Sequence, residues 1–144
     1  MLKALFALVA AALFAGAALY ISLVEHPARM KLDDRSALAQ WKPSYAAATP
    51  LQAGLALLSL LLGVWAWWKA GDDGLLIGGL LMGAVILFTL TVIFPTNRRL
   101  LAADSGAADS DIRSLLVRWG RLHAVRTILA LGAVAAYLIA FLWP

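Results

Sequence analysis

LLIGGLLMGAVILFTLTVIF, residues Leu75 to Phe94, runs for twenty residues without a charged side chain. A helix of about 20 residues crosses the hydrocarbon layer of a bilayer. The stretch lacks the period-two alternation of a membrane barrel strand. Inside lipid the backbone must close its own hydrogen bonds, which leaves a helix. Three further stretches read the same way, roughly Ala4–Val24, Leu51–Trp68 and Leu122–Trp143. The sequence therefore predicts an all-α fold, a four-helix transmembrane bundle of up-down-up-down order. Its spans are residues 4–24, 51–68, 75–94 and 122–143.

Composition supports this reading. The chain has 144 residues, 63% hydrophobic and 14% charged, where a soluble domain carries about 25% charged residues. A soluble domain this small has too much surface for its volume to hide that apolar excess. A single integral membrane domain, residues 1–144, is expected, with the lipid bilayer as its first partner. A soluble enzyme and a disordered chain are excluded. There is no cysteine, so thiolate catalysis, iron–sulfur clusters and zinc–thiolate sites are excluded too. Lys3, an apolar run and Ala15-Gly16-Ala17 resemble a signal peptide with a small-residue cleavage site. A retained first helix is the expectation.

The connections differ in length. Gly71-Asp72-Asp73-Gly74 is turn chemistry and predicts an antiparallel hairpin of helices two and three. The connections Glu25–Pro50 and Pro95–Arg121 are longer and share the other side. The first is expected to hold a short interfacial helix around Asp33–Trp41, broken near Pro43. In the second, Asp109 or Ser110 is expected to cap a helix that runs through Leu115-Leu116 into helix four as a cytoplasmic extension. Ala102–Ala108 reads as a flexible tip. Trp65, Trp67 and Trp68 read as an aromatic belt, and Gly79 and Gly83 as a close-packing pair.

Nine basic residues lie in the long connections: Arg29, Lys31, Arg35, Lys42, Arg98, Arg99, Arg113, Arg118 and Arg121. The opposite side has Lys3 and Lys69. The positive-inside rule puts the long connections in the cytoplasm and both termini outside, in a bacterial inner membrane. Anionic lipid accounts for the net charge of +4, and no nucleic-acid partner is called for.

The unusual polar residues gather on the long-connection side. Glu25 and His26 end helix one, Tyr45, Thr49 and Gln52 begin helix two, and Asn97 and Arg98 end helix three. Trp119, His123 and Arg126 begin helix four at i, i+4, i+7 spacing and share a face, which Thr127 and Ala130 extend inwards. Arg126 is about one turn inside the apolar segment, where an ionisable group faces the bundle interior or a wet cavity. Glu25 is its expected partner, with Asn97 bridging them. Snorkelling charges and interfacial tryptophans are the structural alternative.

Two histidines and a carboxylate are also the ligand inventory of a non-haem iron site. Glu25 and His26 are adjacent, however, and point about 100° apart on a regular helix. Paired histidines ligate haem in other proteins, but a short chain leaves little room for a macrocycle. A metal-free pocket is simpler. No cofactor is predicted, and non-haem iron or haem through His26 and His123 is the alternative. His123 is the leading candidate base and His26 the second. Arg126, Asn97 and Glu25 complete the candidate catalytic set, with Arg126 and Asn97 placed to hold an oxyanion. Trp119, Arg98, Tyr45 and Gln52 are the candidate substrate-binding residues, Trp119 by stacking on a flat aromatic.

Three elements carry a family resemblance: Glu25-His26-Pro27-Ala28-Arg29, Phe94-Pro95-Thr96-Asn97-Arg98-Arg99-Leu100 and Trp119-Gly120-Arg121-Leu122-His123-Ala124-Val125-Arg126. In order and spacing they resemble the anthrone oxygenase-like family of small four-helix membrane proteins, and the span pattern extends the resemblance along the chain. The resemblance implies oxidation of anthrones, electron-rich polycyclic phenols, to anthraquinones with molecular oxygen, the activity associated with fungal members. It implies no established cofactor and does not name a substrate for bacterial members. A membrane oxidoreductase acting on a lipophilic small molecule is thus the expected function. A non-catalytic membrane partner or a small transporter is the alternative. Transport is disfavoured because spans one to three lack a mid-membrane acid. Oligomeric state is left open.

The charge asymmetry gives a direct test. A cysteine introduced at Ser36 should be shielded from an impermeant thiol reagent in intact cells, and one at Asp72 should be labelled. The reverse pattern would invert the orientation and leave the four spans intact.

Overall fold

The computed structural model describes residues 2–103 and 108–143. The regular elements among these are all helical. Helix α1 (Leu2–Tyr20) passes through a π-helical turn, Ile21–Glu25, into the short α2 (His26–Arg29). Helix α3 spans Asp34–Ala70. Helix α4 (Asp73–Phe88) passes through a second π-helical turn, Thr89–Ile93, into α5 (Phe94–Ala102), and α6 spans Asp109–Leu142. Four rods result: Leu2–Arg29, Asp34–Ala70, Asp73–Ala102 and Asp109–Leu142. Each is long and apolar enough to cross a membrane. Helices α1 and α4 each pack against both α3 and α6, which closes a four-helix bundle. The protein is an integral membrane protein of that class.

Two cores stack along the bundle. The first is rich in small residues: Ala4, Ala7, Ala11, Ala15 and Ala18 line one stripe of α1 and are buried. Small residues let backbones approach closely where lipid removes the usual hydrophobic drive for helix association. Gly79 does the same between α3 and α4, since a Cβ there would meet Val64 N at 3.2 Å and Leu60 O at 3.3 Å. Gly83 makes only ordinary contact, with Leu60 Cδ1 at 3.4 Å from such a Cβ. Tyr137 is pinned in this core by donating its hydroxyl to Ser59 O at 3.0 Å, while Ser59 Oγ donates to Ala7 O at 3.0 Å. The second core holds larger side chains, among them Ile21, Leu38, Trp41, Ile93, Leu100, Leu116 and Trp119.

The first long connection differs from expectation. There is no separate interfacial helix and no break near Pro43: α3 runs unbroken through Pro43 and Pro50. A proline removes one intrahelical bond and disfavours the helix locally. Tertiary contacts outweigh that here. Ala37, Leu38 and Trp41 are buried, and Lys42 Nζ donates to Ala103 O at 2.6 Å. The start of α3 is held as well. Asp33 caps it by accepting from Ser36 N at 3.0 Å, and Arg113 donates to Met30 O at 2.8 Å and Leu32 O at 2.7 Å and pairs with Asp34.

The extension of helix four is present, since α6 begins at Asp109. Neither Asp109 nor Ser110 caps it. Ala108 occupies that position without a side-chain bond, and the Asp109 carboxylate pairs with Arg35 at 3.1 Å. Asp109 and Asp111 still sit in the first turn, where the helix dipole favours negative charge. Most of the tip expected at Ala102–Ala108 lies outside the described residues. The turn between α3 and α4 is as read: Gly71 takes the left-handed conformation (φ 73°), and Asp72 caps α4 through Gly74 N at 2.8 Å.

The packing around Tyr137 gives a prediction. A Cβ at Gly78 would lie 2.7–2.8 Å from three atoms of the Tyr137 ring. That ring is tethered and cannot yield freely. Gly78→Ala should therefore destabilise by about 1–3 kcal/mol, the usual cost of overpacking, read by unfolding in detergent. Gly54→Ala, with open space at its Cβ, should not.

Candidate active site

The polar residues form a layer between the two cores. Because α3 begins at Asp34 and not near Leu51, Tyr45, Thr49 and Gln52 lie in mid-helix. The candidate site is thus roofed by the second core and is not at an open end of the bundle. Gln52, Asn97, His123, Thr127 and Arg29 are all buried polar side chains.

Both π-helical turns border this layer. Each ends two residues before a proline, Pro27 and Pro95. A proline has no N–H to give to the helical ladder, and a π-turn shifts the register by one residue; such turns occur often at functional sites. On α1 the shifted turn presents Ser22 to α6. Ser22 Oγ lies 3.0 Å from His123 Nδ1 and 3.0 Å from Thr127 Oγ1. Thr127 Oγ1 also donates to His123 O at 3.0 Å.

The expected Glu25–Arg126 pair is absent. Glu25 Oε1 accepts from Arg29 Nη2 at 2.5 Å, Ser44 Oγ at 2.5 Å and Gln40 Nε2 at 3.3 Å. Arg126 instead donates to Gln52 Oε1, with its guanidinium carbon 5.0 Å from the Phe14 ring centroid. The reason is helical register. Arg29 follows Glu25 by four residues, on the same face, whereas Arg126 is one turn deeper, level with Gln52 and Phe14. Asn97 does not bridge that pair either; its Nδ2 donates to Tyr45 OH at 3.2 Å.

Aromatic rings join the remaining members. The Trp119 ring centroid is 5.2 Å from His26, 4.8 Å from His123 and 5.8 Å from Trp41. Trp41 stacks on Tyr45 at 4.8 Å. His26 packs on Gly120, whose missing side chain makes the space for it. Among the described residues no three His, Asp or Glu side chains converge as a metal-ligand group.

Two hollows meet at this layer. A small cavity of about 30 Å³ is lined by Arg29, Trp41, Ser44, Tyr45, Gln52, Asn97, Trp119, His123 and Arg126, with Ile21 and Ala48. A larger groove of about 330 Å³ runs along α3 and α4, lined mainly by apolar residues such as Phe14, Ala56, Leu57, Val85, Leu90 and Phe94. Tyr45, Gln52, Asn97 and Arg126 line both. A further hollow, about 860 Å³, lies at the other end around Lys3, Trp65, Lys69 and Asp72. It shares no residue with the polar layer.

Of the sequence candidates, His123, Arg126, Asn97, Tyr45, Gln52 and Trp119 come together around the small cavity. Three do not reach it. Arg98 is exposed on the outer side of α5, with Pro95, Arg99 and Ala102 around the same outer hollow. Glu25 and His26 line neither cavity. Trp119 faces the small cavity and the histidines, not the apolar groove. Three participants carried no clear signal in the sequence. Ser22 needs the π-turn to reach His123. Arg29 is visible only as the i+4 partner of Glu25. Trp41 falls in the stretch expected to form a separate interfacial helix.

The revised pairing is open to test by a double-mutant cycle read by detergent unfolding. Glu25→Gln leaves the buried Arg29 unpaired and should cost about 3 kcal/mol or more. It should be strongly non-additive with Arg29→Met and additive with Arg126→Met.

Comparison with known protein families matches residues 41–136 to the family described as anthrone oxygenase. Comparison with curated proteins and with solved structures gave no match. The matched stretch is about two thirds of the chain and includes Trp41, Tyr45, Gln52, Asn97, Trp119, His123 and Arg126. Ser22, Glu25, His26 and Arg29 precede it. On that match the chain belongs to the anthrone oxygenase family.

Proposed function

We propose that this protein oxidises a lipophilic, electron-rich aromatic of the anthrone or phenol class with molecular oxygen. Family membership supports the reaction type. The observation that carries the substrate class is the groove of about 330 Å³, apolar along its length and ending on Tyr45, Gln52, Asn97 and Arg126. Small-molecule sites of about 300–1,000 Å³ have this character, a mostly apolar wall with a few convergent polar groups. The groove lies within the apolar rods, so a substrate dissolved in the bilayer reaches it without entering water.

His123 is the base. Thr127 donates to the His123 carbonyl, so Ser22 donates to Thr127 and His123 Nδ1–H donates to Ser22. That assignment of hydrogens leaves Nε2 with its lone pair. A base held by a third group in this way is the arrangement that acid–base catalysis needs. Removing a proton from an anthrone-type CH₂ gives an extended anion, and Arg126 and Asn97 stabilise its oxyanion in a site of low dielectric. The substrate anion supplies the electrons for oxygen, so the reaction calls for no metal or organic cofactor. Phe14, Phe94 and Tyr45 take over the contact with the substrate's flat rings that sequence spacing had given to Trp119. His26, behind Trp119, supports that ring and not the chemistry.

The test is oxygen uptake and product analysis with purified protein and an anthrone, with a chelator control. His123→Ala should lose about 100- to 10,000-fold in turnover, the usual loss for a positioned base. Its anaerobic affinity for the substrate should stay near that of the unchanged protein. His26→Ala should lose much less. Full turnover in a correctly folded His123→Ala protein would reject the base, and activity lost to chelation and restored by iron would reject the cofactor-free route.

A further inference from the structure

Four buried side-chain polar atoms among the described residues have no hydrogen-bond partner: Trp41 Nε1, Gln52 Nε2, Asn97 Oδ1 and Arg126 Nε. All four residues line the same cavity of about 30 Å³. They come from three helices, α3, α5 and α6, so no single local distortion accounts for them. Buried polar groups are nearly always satisfied, and a cluster of unsatisfied ones marks a missing occupant.

The chemistry of the four atoms says what the occupant is. Trp41 Nε1 and Arg126 Nε can only donate. Gln52 Oε1 accepts from Arg126, and a guanidinium cannot accept, so Gln52 Nε2 is an N–H donor as well. Asn97 Nδ2 donates to Tyr45 OH, which leaves its carbonyl oxygen as the lone acceptor. The reverse orientation of Asn97 would add a fourth donor. The cavity therefore offers three donors, one of them cationic, and one acceptor. Two water molecules would meet these groups at rest, but neither offsets the charge of the guanidinium. A small oxygen anion with lone pairs on two atoms accepts all three. The volume fits, since a water-sized species takes about 10–15 Å³ in this measure and the cavity holds about two.

We propose that the cavity walled by Trp41, Gln52, Asn97 and Arg126 takes dioxygen and holds the superoxide and peroxide anions made from it, while the groove takes the organic substrate. The inference rests on the oxidation proposed above. The deprotonated substrate gives one electron to dioxygen, which yields a substrate radical and superoxide. These combine, forming a C–O bond and a peroxide anion. The anion takes up the proton that the base first removed. A second proton then leaves the same carbon, the O–O bond breaks, and the departing hydroxide takes that proton to leave as water. The sum is CH₂ + O₂ → C=O + H₂O. The O–H of the hydroperoxide stage matches the Asn97 acceptor. Negative charge moves from the groove to the cavity during the electron transfer, and Arg126 borders both. One guanidinium thus faces the charge before and after.

Trp41 lines the cavity and not the groove, so Trp41→Phe removes one donor while keeping an aromatic ring against Tyr45, the groove residue on which Trp41 stacks. In a variant with an unchanged circular dichroism spectrum and unfolding midpoint, kcat/KM for oxygen should fall about 100-fold, the usual effect of one oxyanion donor. Anaerobic affinity for the anthrone should be unchanged. Azide, a small linear anion, should inhibit the unmodified protein competitively against oxygen and not against the anthrone. That inhibition pattern decides the matter if the variant fails to fold. Normal kcat/KM for oxygen in folded Trp41→Phe, or azide that competes with the anthrone, overturns the oxygen cavity and leaves the oxygenase reading standing. Absence of any oxygen uptake by the unmodified protein removes that reading and the cavity assignment with it.

Discussion

A guanidinium inside an apolar bundle dictates much of what surrounds it. Arg126 lies in a rod that otherwise reads as membrane helix, and hydrocarbon offers its N–H groups nothing. An unpaired charge there costs several kcal/mol. The chain answers with a neutral acceptor, Gln52, and an aromatic face, Phe14, instead of a carboxylate. The positive charge is therefore sheltered but not cancelled, and it remains available to an anion. Glu25, the carboxylate expected to cancel it, is held instead by Arg29, Ser44 and Gln40.

The roof over this layer follows from the same need. A charged and histidine-bearing layer open to bulk water would gain solvation and lose electrostatic strength. Here α3 and α6 continue beyond the apolar spans, and their extensions, with α2 and α5, pack Trp41, Leu38, Leu100, Leu116 and Trp119 over the polar layer. The prolines at 43 and 50 weaken α3 locally, but burial along its first half keeps it helical. Arg113 fastens the α2–α3 connection to α6. A roof made of continuous helices holds the layer in fixed register, which a loop would not.

The two π-helical turns place the chemistry. In each a proline follows within two residues and the preceding turn widens by one residue. On α1 this sets Ser22 against His123 and Thr127; on the α4–α5 rod it precedes Asn97, which α5 delivers to Tyr45. The organic and oxygen sites of the proposed reaction then share one wall, Tyr45, Gln52, Asn97 and Arg126, so that charge can pass over a short distance in a dry medium.

Much of this was legible in the sequence. Long apolar runs without period-two alternation give four spans, because lipid permits only helices and closed barrels, and the Gly71–Asp72 turn follows from its residue types. The Trp119, His123 and Arg126 stripe follows from helical periodicity alone, and the span ends put Asn97 and Gln52 on the same side of the bundle; their burial does not follow from either. The partners did not follow. Whether Arg126 meets Glu25 or Gln52 turns on helical register, which sets Arg126 one turn deeper than Glu25, and the π-turns at Ile21–Glu25 and Thr89–Ile93 shift register without a sequence period to announce it. The continuity of α3 through two prolines is likewise a tertiary result, since local propensity argues against it and only packing against α5 and α6 reverses the balance. Sequence determines what must be buried in lipid, because transfer free energy depends on composition and period; which buried groups meet is decided only when four helices settle their mutual rotation.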